Sequence, residues 1–455
     1  MAHDLAAGMD EHPDVARYRA GRAIQDNGPL AASFLRELML DCGADDCGFV
    51  AVSDPAIADQ QAWIGALLPG AKSLVSFVCR MNRDTVRTSV RSVANEEFHQ
   101  TYDDVNIVAR KAVRRLEEMG LGAVNPAAAF PMEAQAYPAG MRVISHKPIA
   151  EAAGLGKMGL HRNVIHPRFG SFILLGTIVI DREVDTVSAP LDYAPCLDCK
   201  LCVAACPVEA IGMDGSFNFS ACYTHNYREF MGGFVDWVHQ VVDAEDADDY
   251  DKRVTPGESV SMWQSLSFKP GYKAAYCLSV CPAGSDVLGP FIEDRVEYRK
   301  RILDPLLAKP ETVYVLKGSD AEESIPQRLK SKEVKLVDYN IPSDDPFSFL
   351  FGLTLTFQRR KARGLDATLS LVIEDKGPQP AAIRVRRSRV EVEFQAPEKA
   401  DAELRLTWET LRRIFRDGMT VEEAVANCGA TLTGDVATAQ AIRHCFPVYR
   451  VPVDA

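Results

Sequence analysis

Cys196-Leu-Asp-Cys199-Lys-Leu-Cys202-Val-Ala-Ala-Cys206-Pro207 is the stretch that decides the reading of this chain, and Cys277-Leu-Ser-Val-Cys281-Pro282 echoes it downstream. Three cysteines at two-residue gaps place three thiolates around one iron–sulfur cube. A fourth, three residues on and followed by proline, points to a second cube. In a two-cluster arrangement Cys196, Cys199 and Cys202 take Cys281 as fourth ligand, and Cys206 joins Cys277 and the isolated Cys222. That second set is one thiolate short, because Ala274 stands where the repeat wants a cysteine. The sequence therefore predicts one 4Fe–4S cluster and a second that is either 4Fe–4S or 3Fe–4S, with His225 as a candidate fourth ligand. A structural zinc site needs only four close cysteines, and neither the C-P ending nor the distant echo belongs to it.

Working outward, the length of 455 residues calls for two or three domains. A hydrophobic share of 47% and a charged share of 25% are those of a globular protein. The net charge of −12 argues against a nucleic-acid surface. Twelve cysteines without an apolar leader in MAHDLAAGMDEHPD point to a reduced, cytoplasmic setting with no membrane partner.

Residues 1–30 read as a polar arm. Helical spacing of Phe34, Leu35, Leu38 and Leu40 predicts a helix over Leu30–Cys42, followed by strands at Cys47–Val52 and Ser73–Val78. Val105, Val108, Ala112, Leu116 and Met119 define the apolar face of a helix over Tyr102–Met119, capped by Gly120. No Gly-x-Gly-x-x-Gly turn follows the first strand, so a dinucleotide fold is not supported. Gly154, Gly156 and Gly159 lie within six positions, which lets the backbone approach something flat and bulky or simply pack on the core. A buried strand, Phe172–Ile180, then leads towards Cys196.

Pro148-Ile-Ala-Glu-Ala-Ala-Gly-Leu-Gly156, Asn163, Pro167-Arg-Phe-Gly170 and the cysteine run together resemble the core shared by cobalamin-dependent reductive dehalogenases and epoxyqueuosine reductases. Asp46-Cys-Gly-Phe-Val-Ala-Val-Ser-Asp54 and Pro69-Gly-Ala-Lys-Ser73 extend that resemblance over roughly residues 30–295. The resemblance implies an α+β fold: a nitroreductase-like cobalamin-binding core over 31–190 and a ferredoxin-like two-cluster insertion over 191–295. It implies corrinoid contacts from Gly154, Leu155, Gly156, Asn163, Ile165, Pro167 and Arg168. Where similar epoxyqueuosine reductases carry a proton-donating aspartate this chain has Gly140, with no carboxylate between Glu133 and Glu151. It offers Tyr137, the kind of donor found in the dehalogenase branch, with Lys147, Arg142 or Arg162 as the cation that acidifies the phenol.

Between Cys222 and Cys277 the acidic run Asp243–Asp251 reads as a solvated face, and Trp237 and Trp263 beside it as buried packing. Residues 296–340 read as a charged connector. Residues 341–455 form a separate small α+β domain, with strands at Ala367–Glu374, Ala381–Val385, Val390–Gln395 and Glu403–Thr407 and helices at Trp408–Arg416 and after Asp435. The run Leu404–Phe415 followed by Ala430-Thr-Leu-Thr-Gly-Asp435 resembles a sterol-carrier-protein-type domain, which implies an apolar tunnel or, where that is lost, a homodimer surface. Cys428 and Cys445 read as buried apolar residues. The expectation is a cobalamin- and iron–sulfur-dependent reductase that dehalogenates a small apolar organohalide, with Tyr137 as proton donor and a separate ferredoxin or flavoprotein as electron source. Its competitors are an epoxyqueuosine-like deoxygenation and a non-catalytic corrinoid-binding electron carrier. No nucleic-acid partner is expected.

Overall fold

The computed structural model describes residues 12–16, 28–138, 143–230, 232–338, 343, 345–376 and 379–448. The two early strand signals become β1 (Asp46–Ala51) and β2 (Ser73–Arg80), followed by β3 (Ala123–Val124), β4 (Lys157–Met158), β5 (Val164–Ile165) and β6 (Ile173–Ile180). β1, β2, β6 and β3 lie side by side in that order with every pair antiparallel, and β4 and β5 make a small antiparallel hairpin. β2 is buried from Ser73 to Cys79. A strand covered on both faces reads as a continuous apolar run. Phe77 faces Gly176 across the β2–β6 ladder, and its ring occupies the space a side chain at 176 would need.

Helices α1 (Ala32–Cys42) and α2 (Arg91–Glu118) cover one face of this sheet. Leu35, Leu38, Met39 and Cys42 on α1 and Val105, Val108, Ala112 and Leu116 on α2 pack against Phe49, Val75, Phe77 and Ile178. α2 begins about three turns before the predicted start. Phe34, Leu40 and Met119 are exposed, because the buried stripe of α1 runs through 35, 38, 39 and 42 and Met119 lies past the end of α2. α3 (His146–Ala152) covers the other face with Ile57, Ile64 and Leu155, against Val50, Leu74 and Val78.

The cysteine-bearing region follows, with α4 (Leu201–Ala205), α5 (Phe219–Asn226) and α6 (Tyr276–Ser279). A tight crossing joins it to the core. Gly170 (φ +66°) has no room for a Cβ because the Ala283 carbonyl oxygen occupies that space, and a Cβ at Gly284 would meet the Gly170 amide. The amides of Ser285 and Asp286 donate to the carbonyls of Pro167 and Arg168 along the same seam. The segment read as a connector is integral to this region. β7 (Thr312–Leu316), α7 (Ala321–Arg328) and β8 (Glu333–Val337) form a parallel βαβ unit, and Val313, Val315, Ile325 and Leu329 share a core with Cys202, Cys206 and Val208.

Beyond it, α8 (Pro346–Thr356) leads into a five-stranded sheet ordered β11-β10-β9-β12-β13: β9 (Ala367–Ile373), β10 (Gln379–Arg386), β11 (Arg389–Glu393), β12 (Ala402–Leu406) and β13 (Thr431–Gly434). Only the β9–β12 pair is parallel. Trp408, Phe415, Phe446 and Cys445 fill its core, whereas Cys428 is only half-buried and takes an N–H bond from Arg413 on its sulfur (3.4 Å). Among the described residues no helix is long and apolar enough to cross a membrane.

The crossing at residue 170 generates a test. Gly170→Ala sets a methyl against the Ala283 carbonyl at a left-handed backbone position and is expected to destabilise by about 2–4 kcal/mol. Gly65, inside the helix Gln61–Leu67 with nothing within 4 Å of its Cβ position, is the control, and Gly65→Ala is expected to be neutral or stabilising by about 1 kcal/mol. Thermal unfolding of both variants checks the pair; an unchanged melting temperature for Gly170→Ala contradicts the packing account.

Candidate redox site

The chain turns sharply around its cysteines. Asp198 and Lys200 adopt left-handed backbone conformations between Cys196 and α4, and Ala275 does so just before α6. The thiols fall into two groups. Cys281 is raised to about 11, first by burial and then by Cys199 and Cys196. Burial also raises Cys202, which feels Cys277 as well as Cys281, Cys199 and Cys196, so it stands where the groups adjoin. In the second group burial pushes Cys222 up to about 12, helped by Cys206, and Cys277 is raised by burial and by Cys222 and Cys206. Cys202 also shares an apolar cluster with Cys206, against which Cys222 and Cys277 pack.

The donor set suits iron–sulfur clusters. Backbone N–H groups after each Cys-Pro aim at sulfur: the Ala210 amide donates to Cys206 Sγ at 3.2 Å, with Val208 and Ile211 beside it, and Ala283 and the Ser171 hydroxyl act on Cys281. Such donors favour thiolate over thiol. Among the described residues no three His, Cys, Asp or Glu side chains converge on a site for one bare metal ion. A cluster brings its own sulfides and spans a wider set of thiolates than a lone zinc does.

α5 links the thiols to the candidate proton donor. Cys222 lies on this helix, and the next residue, Tyr223, packs against buried Tyr137 together with Leu316, Met132, Phe219 and Tyr227. The Tyr137 carbonyl accepts from Ser343 Oγ at 2.8 Å. Lys147 Nζ donates to the Arg162 carbonyl (2.5 Å) and Asn163 Oδ1 (3.3 Å), and its charge reaches Cys222, Cys277 and His161. Lys147 is thus bonded to the 162–163 turn, and its charge favours the thiolate at Cys222 and Cys277. Arg162 is turned to the cysteine-bearing region, donating to the Gly215 carbonyl at 3.2 Å. Arg142 and Gly140 lie outside the described residues.

The glycines do not form an open seat. Cβ atoms added at Gly154 and Gly156 would meet the carbonyls of Ala189 and Ile165, and one at Gly159 the Ile165 side chain. Leu155 belongs to the sheet core, Ile165 packs beside Cys281 and Ala283, and Arg168 pairs with Asp286 (3.0 Å). These positions brace the segment by packing it against the chain itself. What the segment does present is His161. It is buried (4% exposed), its Nδ1 accepts the Asn163 amide at 3.1 Å, and its Nε2 has no partner among the described residues. An orphaned buried donor beside Lys147 and Asn163 fits the acceptor-rich periphery of a bound corrinoid. His161 is not among the sequence-predicted site residues, and its only signal is its place between Gly159 and Asn163.

His225 is no cluster ligand. Its Nδ1 accepts the Tyr314 amide at 3.3 Å, so the proton sits on Nε2, and burial holds the ring down to about 3. Trp263 is exposed (57%), contrary to the buried packing expected of it. Trp237 is half-buried and donates to the Tyr250 hydroxyl at 2.9 Å.

Comparison with known proteins finds epoxyqueuosine reductases. That of Staphylococcus aureus is 26% identical over 180 residues, which is 40% of this chain and 38% of the relative. That of Prochlorococcus marinus is 35% identical over 85 residues, 18% of this chain and 26% of the relative. The chain thus spans well under half the length of these curated relatives. No family model matches. Among solved structures, a catabolic reductive dehalogenase is similar at 16% identity and a TM-score of 0.37, over 60% of this chain and 34% of that one. An epoxyqueuosine reductase with a tRNA-Tyr epoxyqueuosine-modified stem loop is similar at 16% identity and 0.31, over 60% and 78%. At such scores the structural likeness carries no argument. The resemblance to epoxyqueuosine reductases read from the motifs is met again in the curated relatives, whereas the C-terminal resemblance rests on its sequence pattern alone.

These findings correct one expectation. The exclusion of a nucleic-acid partner does not stand, since the relatives are epoxyqueuosine reductases and one solved example holds a tRNA stem loop. A charge of −12 is a sum over the whole surface and does not bar a local binding patch.

His161 supplies a pH test. The unfolded residue protonates near 6.5, whereas burial, helped by Lys147, holds the folded one down to about 4. Its contribution is therefore fully present above pH 6.5 and is lost as pH falls towards 4, about 3 kcal/mol in all. His161→Asn keeps an acceptor for the Asn163 amide and cannot titrate, so its stability should fall less steeply over that window. Chemical denaturation at pH 7, 5.5 and 4 checks this; parallel pH profiles for the two proteins contradict it.

Proposed function

We propose that the chain is a corrinoid- and iron–sulfur-dependent reductase, and that its reaction is a reductive cleavage of the epoxyqueuosine reductase kind, at carbon–oxygen rather than carbon–halogen. The observation that carries the reading is the pair of buried thiol groups adjoining the Lys147–Asn163 segment. Supporting it, the curated relatives bear that one name. Cys196, Cys199, Cys202 and Cys281 would hold one cluster and Cys206, Cys222 and Cys277 the other. When bound, the clusters supply electrons singly and a reduced corrinoid supplies a nucleophilic cobalt.

The chain's own residues then have separable tasks. Lys147 is bonded to the 162–163 turn and by its charge favours the thiolate state in the second thiol group. His161 Nε2 offers one hydrogen bond to a ligand on that segment. Tyr137, walled by Tyr223, Leu316 and Met132, excludes water and holds a proton on its phenol for a carbanion-like product.

A second reading, dehalogenation of a small apolar organohalide, is favoured by that phenol in an apolar, aromatic wall where the sequence has no carboxylate. Protein reconstituted anaerobically with iron, sulfide and cobalamin separates the two. The first predicts conversion of epoxyqueuosine, as nucleoside or in a tRNA stem loop, without halide release, and the second the reverse. Turnover of neither class contradicts both. In either case Tyr137→Phe should lower turnover by at least tenfold with corrinoid binding intact; unchanged turnover removes Tyr137 from the chemistry.

A further inference from the structure

The seven thiols divide unequally, and we infer that the second cluster is held by three thiolates, leaving one iron corner open to an anionic oxygen ligand such as hydroxide or a carboxylate. This rests on the iron–sulfur reading above. A complete run gives three ligands to one cluster and a fourth to the other. The upstream run is complete. The downstream run keeps Cys277 and Cys281, while Gly271 and Ala274 stand in the places of its first two cysteines.

Both of those places are fixed in the fold. The Gly271 amide donates to Glu229 Oε2 at 2.9 Å and the Ala274 amide to Asn226 Oδ1 at 3.0 Å. Cys222, brought in on α5, restores one ligand and no more. Every other cysteine is committed elsewhere: Cys42, Cys47 and Cys79 pack beneath the first sheet, and Cys428 and Cys445 belong to the C-terminal core. His225, the nearest imidazole in sequence, carries its proton on Nε2 because Nδ1 accepts the Tyr314 amide. Its charged neighbours are Glu311, Lys273, Lys309 and Lys332 rather than the thiols. Lys147 is the cation whose charge reaches Cys222 and Cys277. Its ammonium has no lone pair for iron, and its charge favours an anion at the open corner.

An iron without a thiolate is the one lost on mild oxidation: one electron passes to ferricyanide and one Fe²⁺ leaves as [4Fe–4S]²⁺ becomes [3Fe–4S]⁺. Anaerobically reconstituted full-length protein, treated with ferricyanide, should fall from about eight irons per chain to about seven and gain the paramagnetic signal of an oxidised three-iron cluster. Ferrous iron and dithionite should reverse both changes. Ala274→Cys should retain all its iron and lose the signal. Wild-type protein that keeps about eight irons with no three-iron signal overturns the inference while leaving the two-cluster reading intact. Protein that takes up no iron and sulfide overturns both. The wild-type measurement decides the matter even if the variant fails to fold.

Discussion

On the proposed iron–sulfur reading, the cysteine-bearing region has to keep seven sulfurs charged in a largely apolar setting. Burial drives Cys202, Cys277 and Cys281 towards the neutral state, and neighbouring thiols aggravate the shift. Iron, which binds only thiolate, reverses the balance, so cluster binding and folding of this region are one equilibrium. The backbone anticipates the charged state. N–H groups at Ala210 and Ala283 point at sulfur immediately after each Cys-Pro, and Lys147 reaches in from the neighbouring segment.

From that constraint the rest of the architecture follows. The downstream cysteines must return to the first run across some seventy residues. The Gly170–Gly284 crossing fixes that return by packing backbone on backbone. The βαβ unit of β7, α7 and β8 closes over Cys202 and Cys206, supplying the apolar cover that a small cluster region lacks by itself. The C-terminal domain docks on the same region. Gln358 is wholly buried, donating to Ser220 Oγ and accepting from the Asp320 amide, and Ser343 reaches the Tyr137 carbonyl. A Cβ at Gly352 on α8 would touch Pro138 at 3.4 Å. The domain is thus seated against the segment that carries Tyr137.

What the sequence disclosed was what is local. Cluster spacing is written in neighbouring residues, and counting ligands led to the expectation that Cys222 joins Cys206 and Cys277. The longer strands of both sheets were legible because their apolar runs are bounded by glycine, proline or charge, whereas the short edge strands β3 and β13 were not. The glycines at 154 and 156 were legible as points of close approach, but not their partners, since the Ala189 and Ile165 carbonyls arrive through tertiary packing. The βαβ unit passed for a connector because its charges are paired in the fold: Lys332 and Lys309 meet Glu311, and Lys335 meets Glu258 on the helix Pro256–Ser267. A pattern rich in charge looks solvated until its pairs are known. His161 was missed for another reason, because one histidine among polar and basic neighbours gives no spacing to read.

Anomalous scattering at the iron edge, from crystals of anaerobically reconstituted protein, tests the central claim most directly. The account predicts two separate iron peaks, one enclosed by Cys196, Cys199, Cys202 and Cys281 and the other by Cys206, Cys222 and Cys277. A single peak, or scattering at the zinc edge in place of iron, would contradict it.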